Sequence, residues 1–193
     1  MSFDLPILDT PRLRLLPAAP ELAAAMLSHW QRNREHFAPW DPKPGPDFFT
    51  EGYWTKQLAQ RAQAWREGRE ARYALTWLEA PERIIGTASL SNIVRGVFQA
   101  CHLGYGIDQN CEGQGLMREA LQAVIRLAFD ELKLHRIQAN YQPQNIRSGA
   151  LLRRLGFVEE GVAKDYLFIN GEWRDHALTS LRNPDFDASA LLA

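Results

Sequence analysis

Long apolar runs are missing from these 193 residues, and so is any strong bias of charge. No stretch reaches the roughly 20 apolar residues that a membrane helix needs. Met1 to Asp9 lacks a basic start followed by an apolar run, so no signal peptide is read there and a cytoplasmic setting is expected. The formal net charge is -1, which leaves no global basic field to draw the chain to nucleic acid or to an anionic membrane. Cysteine is scarce. Cys101 and Cys111 are too few for a disulfide scaffold, and no second ligand pair accompanies them, so no metal site is expected and a reducing compartment is the simple reading.

What remains is an ordinary globular balance of 46% hydrophobic and 23% charged residues, long enough to bury one core. No repeat or linker divides the chain, so residues 1–193 are read as a single domain whose tail after Pro184 frays. Arg12 to Leu16 alternates as a first strand. Pro20 opens a short helix through Leu22, Met26 and Leu27, and a proline-rich loop follows from Pro39 to Pro46. Asp47 is read as the cap of a second helix, with Trp54, Leu58, Ala62 and Trp65 at helical spacing up to Gly68. Tyr73, Leu75 and Trp77 alternate, a turn at Ala80-Pro81-Glu82 reverses the chain, and Ile84 to Ile93 returns. His102 to Asp108 is a further strand. Met117, Leu121, Val124 and Ala128 then form one helical stripe. Ile137, Ala139 and Tyr141 make a strand, and a short helix runs from Asn145 to Leu155 with Gly156 as its C-terminal cap. Asn170-Gly171 between two apolar runs is a hairpin signal.

The chemistry is concentrated between Leu103 and Met117. Gly104 and Gly106 lie two apart, so on a strand they bare one face and invite close approach by a ligand or another backbone. Gly113-Gln114-Gly115 leads straight into a helix, where unpaired N–H groups and the helix dipole suit an anion such as pyrophosphate. No Gly-Lys-Ser/Thr follows, which excludes a P-loop, and Arg118 occupies the third glycine position of a Rossmann fingerprint.

The surrounding order sharpens this. Strand, glycine turn, long helix and strand form a βαβ unit, followed by Asn145-Ile146-Arg147-Ser148-Gly149 on the next helix. With Ser91 to Gly96, Gly113 to Met117 and Ala163 to Tyr166, the chain resembles the GNAT N-acetyltransferases, specifically their RimJ/RimL type and its ribosomal-protein-alanine branch. The resemblance runs from Thr10 through nearly the whole chain. It implies an α/β fold: a mixed, mostly antiparallel sheet with a splayed parallel pair and helices on both faces. It also implies acetyl-CoA as co-substrate and the N-terminal amine of a ribosomal protein, alanine or serine, as acceptor. One position departs: Asn110 stands where the superfamily has Gln or Arg.

Carried over by that resemblance, main-chain groups of Tyr105, Gly106 and Ile107 would hold the pantetheine arm. The N–H groups of Cys111, Glu112, Gly113, Gln114, Gly115, Leu116 and Met117 would hold the pyrophosphate, and Asn145 would bond the cofactor near its arm. Ser148 would protonate the departing thiolate, unless Tyr105 or Tyr141 does so, or Ser148 merely sits in the first turn capped by Asn145. The base stays open: His102 shares a strand face with Gly104 and Gly106, Asp165 is an alternative, and Leu167 aligns with the carboxylate proposed for that role in RimL. Asp175-His176 is read as a possible surface pair, Glu112 as a loop charge and Cys111 as a bland cysteine. Two other functions fit the same signals, a small-molecule amine acetyltransferase and a ribosome-associated acetyl-CoA-binding assembly or regulatory protein. A monomer or homodimer is expected, without direct nucleic-acid binding.

Overall fold

The computed structural model describes residues 4–191, so the start of the N-terminal segment and the last two residues of the tail lie outside the described residues. Eight strands form one sheet in the order β1 (Leu8–Asp9), β2 (Leu13–Pro17), β3 (Ala71–Trp77), β4 (Ile84–Val94), β5 (Ala100–Ile107), β6 (Arg136–Tyr141), β8 (Glu172–Arg182) and β7 (Val158–Ile169). Every neighbouring pair is antiparallel except β5 and β6. That is the mixed sheet with one parallel pair expected from the sequence. The two-residue β1 was not anticipated; it is too short to carry a period of its own.

Alternation along the strands loads both faces. Leu13, Leu15, Tyr73, Leu75, Ile85, Cys101 and Leu103 pack with Leu116, Leu121 and Val124 of α4 (Leu116–Arg126). On the other face, Ala74 and Ile84 pack with Met26 of α1 (Ala23–Arg32) and with Trp54 and Leu58 of α3 (Glu51–Arg66). The stripe expected to run to Ala128 does so, but through a π-helical turn over Leu127–Glu131 that follows α4.

Two boundaries differ from the sequence reading. Asp47 does not cap α3: Thr50 does, its hydroxyl oxygen accepting from the Tyr53 N–H at 3.3 Å, while the Asp47 carbonyl accepts from Thr50. Both residues are good caps, and the proline loop decides which reaches the helix start. The loop also holds a short helix, α2 (Arg34–Phe37), ahead of its first proline. In the tail, Phe186 rests on the His135 ring at 5.1 Å, and a 3-10 turn covers Ala188–Leu191. The hairpin signal holds, because Asn170 and Gly171 both adopt positive φ, 51° and 88°.

Helix α1 is docked on the end of β5. Arg32 pairs with Asp108 at 2.7 Å and donates to the Ile84 carbonyl at 2.8 Å, while the Asn33 side-chain oxygen accepts from the Gln109 N–H at 3.0 Å. Asp108 is only 1% exposed. Burial pushes its carboxyl up, but hydrogen bonds from Arg32 and Asn110 more than offset this and hold it below its usual value.

Beside this contact His29 is fully buried, with Nε2 unpartnered, and burial first, then the Arg32 charge, pulls its pKa down to about 4. The unfolded chain, with an ordinary value of 6.5, takes up a proton sooner than the folded one. Stability is therefore fully present above pH 6.5 and falls as pH drops toward about 4. Chemical denaturation across that window should show a loss of about 3 kcal/mol, at roughly 1.4 kcal/mol per pH unit, that is flattened in His29→Gln.

Candidate active site

The two parallel strands pair only at their base. Ala100 lies opposite Arg136, Cys101 opposite Ile137 and His102 opposite Gln138, yet β5 continues to Ile107 and β6 to Tyr141. On its outer side β5 stays laddered to β4 up to Ile107, and β6 to β8 up to Tyr141. The inner edges therefore diverge above His102, leaving the inward side of Leu103 to Ile107 without a strand partner. Buried main-chain groups must find partners somewhere. A ligand with amide groups matches that edge.

Beyond β5, Asp108 caps a 3-10 turn, and the chain reaches α4 through Gly113 and Gly115, both left-handed with φ of 74° and 76°. The loop is held in place from below. Gln114 accepts from Arg12 at 3.1 Å through its carbonyl and donates its side-chain amide to the Asn110 carbonyl at 3.1 Å. Arg12 is itself fixed by Glu119 at 2.7 Å, and Thr10 donates to Glu119 at 2.6 Å, so the Thr10-Pro11-Arg12 segment anchors the loop. Asn110 acts through its main chain in this arrangement, which makes its departure from Gln or Arg tolerable.

Two of the N–H groups assigned to the pyrophosphate from the sequence already have protein partners. Cys111 N–H bonds the Asp108 carbonyl at 2.8 Å and Glu112 N–H the Gln109 carbonyl at 3.4 Å. Their N–H groups are spent inside the turn, whereas those of Gly113, Gln114 and Gly115 meet no protein acceptor among the described residues. Leu116 and Met117 then contribute first-turn N–H groups while burying their side chains. The Cys111 thiol is buried, and that burial pushes its pKa up. The Glu112 carboxylate does more than carry charge: it meets His36 at 3.5 Å and pairs with Arg147.

On the α4 face of the fork, Asn145 caps α5 (Ile146–Arg154), its side-chain oxygen accepting from the Ser148 N–H at 3.1 Å. Ser148 Oγ in turn shares a hydrogen bond of 2.7 Å with the Tyr105 hydroxyl. Burial pushes Tyr105 up to about 12, so its hydroxyl stays protonated at neutral pH. Gly149 lets α5 press against β6: a Cβ there would lie 2.7 Å from the Tyr141 ring.

The acetyltransferase (GNAT) domain matches residues 12–158. The chain belongs to the GNAT acetyltransferase family. It is 43% identical to the [ribosomal protein uS5]-alanine N-acetyltransferase of Escherichia coli over 179 residues, covering 93% of this chain and 92% of that one. It is 35% identical to the probable N-acetyltransferase YjcK of Bacillus subtilis, across 79% of this chain and 84% of the other. Among solved structures, the ribosomal-protein-S5-alanine acetyltransferase of Vibrio fischeri superposes with a TM-score of 0.90 at 38% identity, covering 94% and 99%. RimJ of Mycobacterium smegmatis, solved in complex with a CoA disulfide, gives 0.86 at 26% identity, covering 96% and 91%.

In this acetyltransferase the two residues read as catalytic are not brought together. Ser148 and Tyr105 lie on the α4 face. His102 lies on the opposite face, at the last paired position of the fork, with Nδ1 buried and unpartnered. Asp165 sits in a bulge of the β7–β8 hairpin with φ of 48°, its N–H bonded to Asp175, so it serves the turn. Asp175 and His176 are not a surface pair: Asp175 binds Lys164 at 2.6 Å, while His176 is buried against Tyr166. One titratable group was missed. Phe37 lies under Gly106, Gln142 at the end of β6 donates to the Pro39 carbonyl at 3.2 Å, and Asp41 follows, its carboxyl pushed up to about 6 by burial. The short segment 37–41 thus crosses the mouth of the fork; only an acidic residue among prolines and tryptophan hinted at it.

Gly115 has the left-handed geometry that a side chain resists. Gly115→Ala should therefore cost about 1–2 kcal/mol in a denaturant melt, without a clash from neighbours, because the nearest atom to a Cβ is Arg12 at 3.7 Å.

Proposed function

We propose that this enzyme transfers an acetyl group from acetyl-CoA to the N-terminal α-amine, alanine or serine, of a ribosomal protein. The observation that carries the reading is the fork: an unpaired strand edge from Leu103 to Ile107 ending at a loop of unpartnered N–H groups. An edge of that kind suits the two amides of a pantetheine arm, and the loop suits a diphosphate. The acceptor is supported by relatives named for acetylating uS5 alanine, at 43% identity and near-complete coverage.

In this proposal Tyr105, Gly106 and Ile107 hold the arm and polarise the thioester carbonyl, while Gly113 to Met117 hold the diphosphate. The neutral amine attacks the carbonyl carbon, the C–S bond breaks, and sulfur leaves as a thiolate. Ser148, hydrogen-bonded to Tyr105, supplies a proton to that sulfur, and the attacking nitrogen gives one up on the opposite face. An α-amine titrates near ~8, so a mild base suffices. His102 is one candidate for that base. Asp41 is favoured over it, because a carboxyl at about 6 is matched to neutral pH and its segment spans the fork.

Thiol release with amidated alanine- or serine-starting peptides tests the reading; release only with free small amines, or CoA binding without release, would favour the other two functions. Ser148→Ala should lower kcat by about 100-fold with little change in CoA affinity, and Tyr105→Phe by less. The pH profile separates the bases. If Asp41 and the amine must both be deprotonated, log(kcat/KM) rises with a slope near two below about pH 6, near one from there to ~8, and levels off above. Asp41→Asn should show a slope near one up to ~8 with no break near 6, and His102→Gln should keep the break.

A further inference from the structure

A cavity of about 70 Å³ lies between α1, α3 and the β3–β4 face, lined by Trp30, Arg61, Arg72, Thr87 and Ser89 among others. Its polar wall is donor-rich. Arg61 rests on the Trp54 ring at 5.3 Å, and among the described residues no carboxylate lies within ion-pair distance of it. Glu70, the acid nearby, is taken by Arg72 at 2.7 Å. Two half-buried cations thus face one carboxylate. Trp30 Nε1, a donor only, is buried without a partner on the same wall. Burial first, then the Arg72 charge, lowers the Arg61 pKa to about 10, while Glu70 acts in the opposite sense.

The cavity is in register with the fork. Gly104 on β5 lies opposite Ser89 on β4, which lies opposite Arg72 on β3, and residues paired in this way share one face. Ser89 also donates to the Gly104 carbonyl at 3.4 Å. Two strand spacings separate Gly104 from Arg72, on the order of 10 Å. Gly104 adds no side chain to this row, so only the small Ser89 stands between the β5 edge and Arg72 along it. An extended peptide crosses that distance in about three residues.

We propose that this cavity is a specificity subsite for an acidic side chain at position three or four of the acceptor peptide, with Arg61 as its principal contact. The inference rests on the N-terminal acetyltransferase reading above. The carboxylate would enter from the fork side, gain a charge-assisted bond from Arg61 and fill space for about two waters, which share roughly 30 Å³ each in the liquid.

The test uses C-terminally amidated alanine-starting peptides, so that the only carboxylate is one Glu at position three or four, matched against Gln. Thiol release with the wild-type enzyme should favour Glu by about 10- to 100-fold in kcat/KM, mostly through KM. Arg61→Gln should bring that ratio close to one while leaving the Gln peptide's kinetics and CoA binding as they were, and Arg61→Lys should restore part of it. A ratio near one in the wild type, which needs no variant, overturns the proposal. So does a ratio that survives in Arg61→Gln. Stimulation of the Gln peptide by added succinate would assign the cavity to a free acid and also overturn it. Peptides acetylated regardless of charge defeat this subsite alone, whereas no release with any peptide defeats the acetyltransferase reading of the acceptor as well.

Discussion

The parallel contact between β5 and β6 is short, and everything at the site depends on its ending where it does. Each strand is fully engaged on its outer side, β5 with β4 and β6 with β8, so neither can bend back to close the gap above His102. Two ladders of hydrogen bonds hold the fork open against the cost of leaving main-chain groups unpaired. The helices fill the wedge from behind: α5 presses on Tyr141 through Gly149, and Ser148 meets Tyr105 across the opening. An unsatisfied edge held open in this manner suits a ligand with amide groups, because filling it recovers hydrogen bonds that folding could not make.

Charge is arranged to keep that opening in shape. The Arg32–Asp108 pair, nearly excluded from solvent on the acid side, locks α1 to the end of β5, and Arg12–Glu119 locks the first strand to the start of α4. Breaking one partner of a buried pair is costly, since it strands the other charge. The same logic read in reverse marks Arg61. It is a cation with no carboxylate within ion-pair distance among the described residues, beside a row that runs from Arg72 through Ser89 to Gly104 on β5.

Much of this was legible in one dimension. The stripe from Met117 to Ala128, the alternation of Tyr73, Leu75 and Trp77, the Asn170-Gly171 turn and the glycine entry into α4 are local patterns, and local patterns survive folding when the core agrees with them. Asn145 as a cap and Ser148 in the first turn followed from the same reasoning. What escaped were features with no period: two-residue β1, four-residue α2, the choice of Thr50 over Asp47 as cap, and Asp41 in a proline loop. Glu112 looked like a stray loop charge because its partners, His36 and Arg147, lie far away in sequence.

Sequence alone determined the class of sheet, the glycine entry into α4 and the family, since each is written in local patterns of residues. Only the tertiary structure decided which N–H groups are free, because Cys111 and Glu112 lose theirs to a turn whose closure cannot be read from residue types. It also decided that His102 and Ser148 stand on opposite faces, a consequence of strand alternation combined with the packing of α5. Residue type states what a side chain can do; the path of the backbone through space settles what it meets.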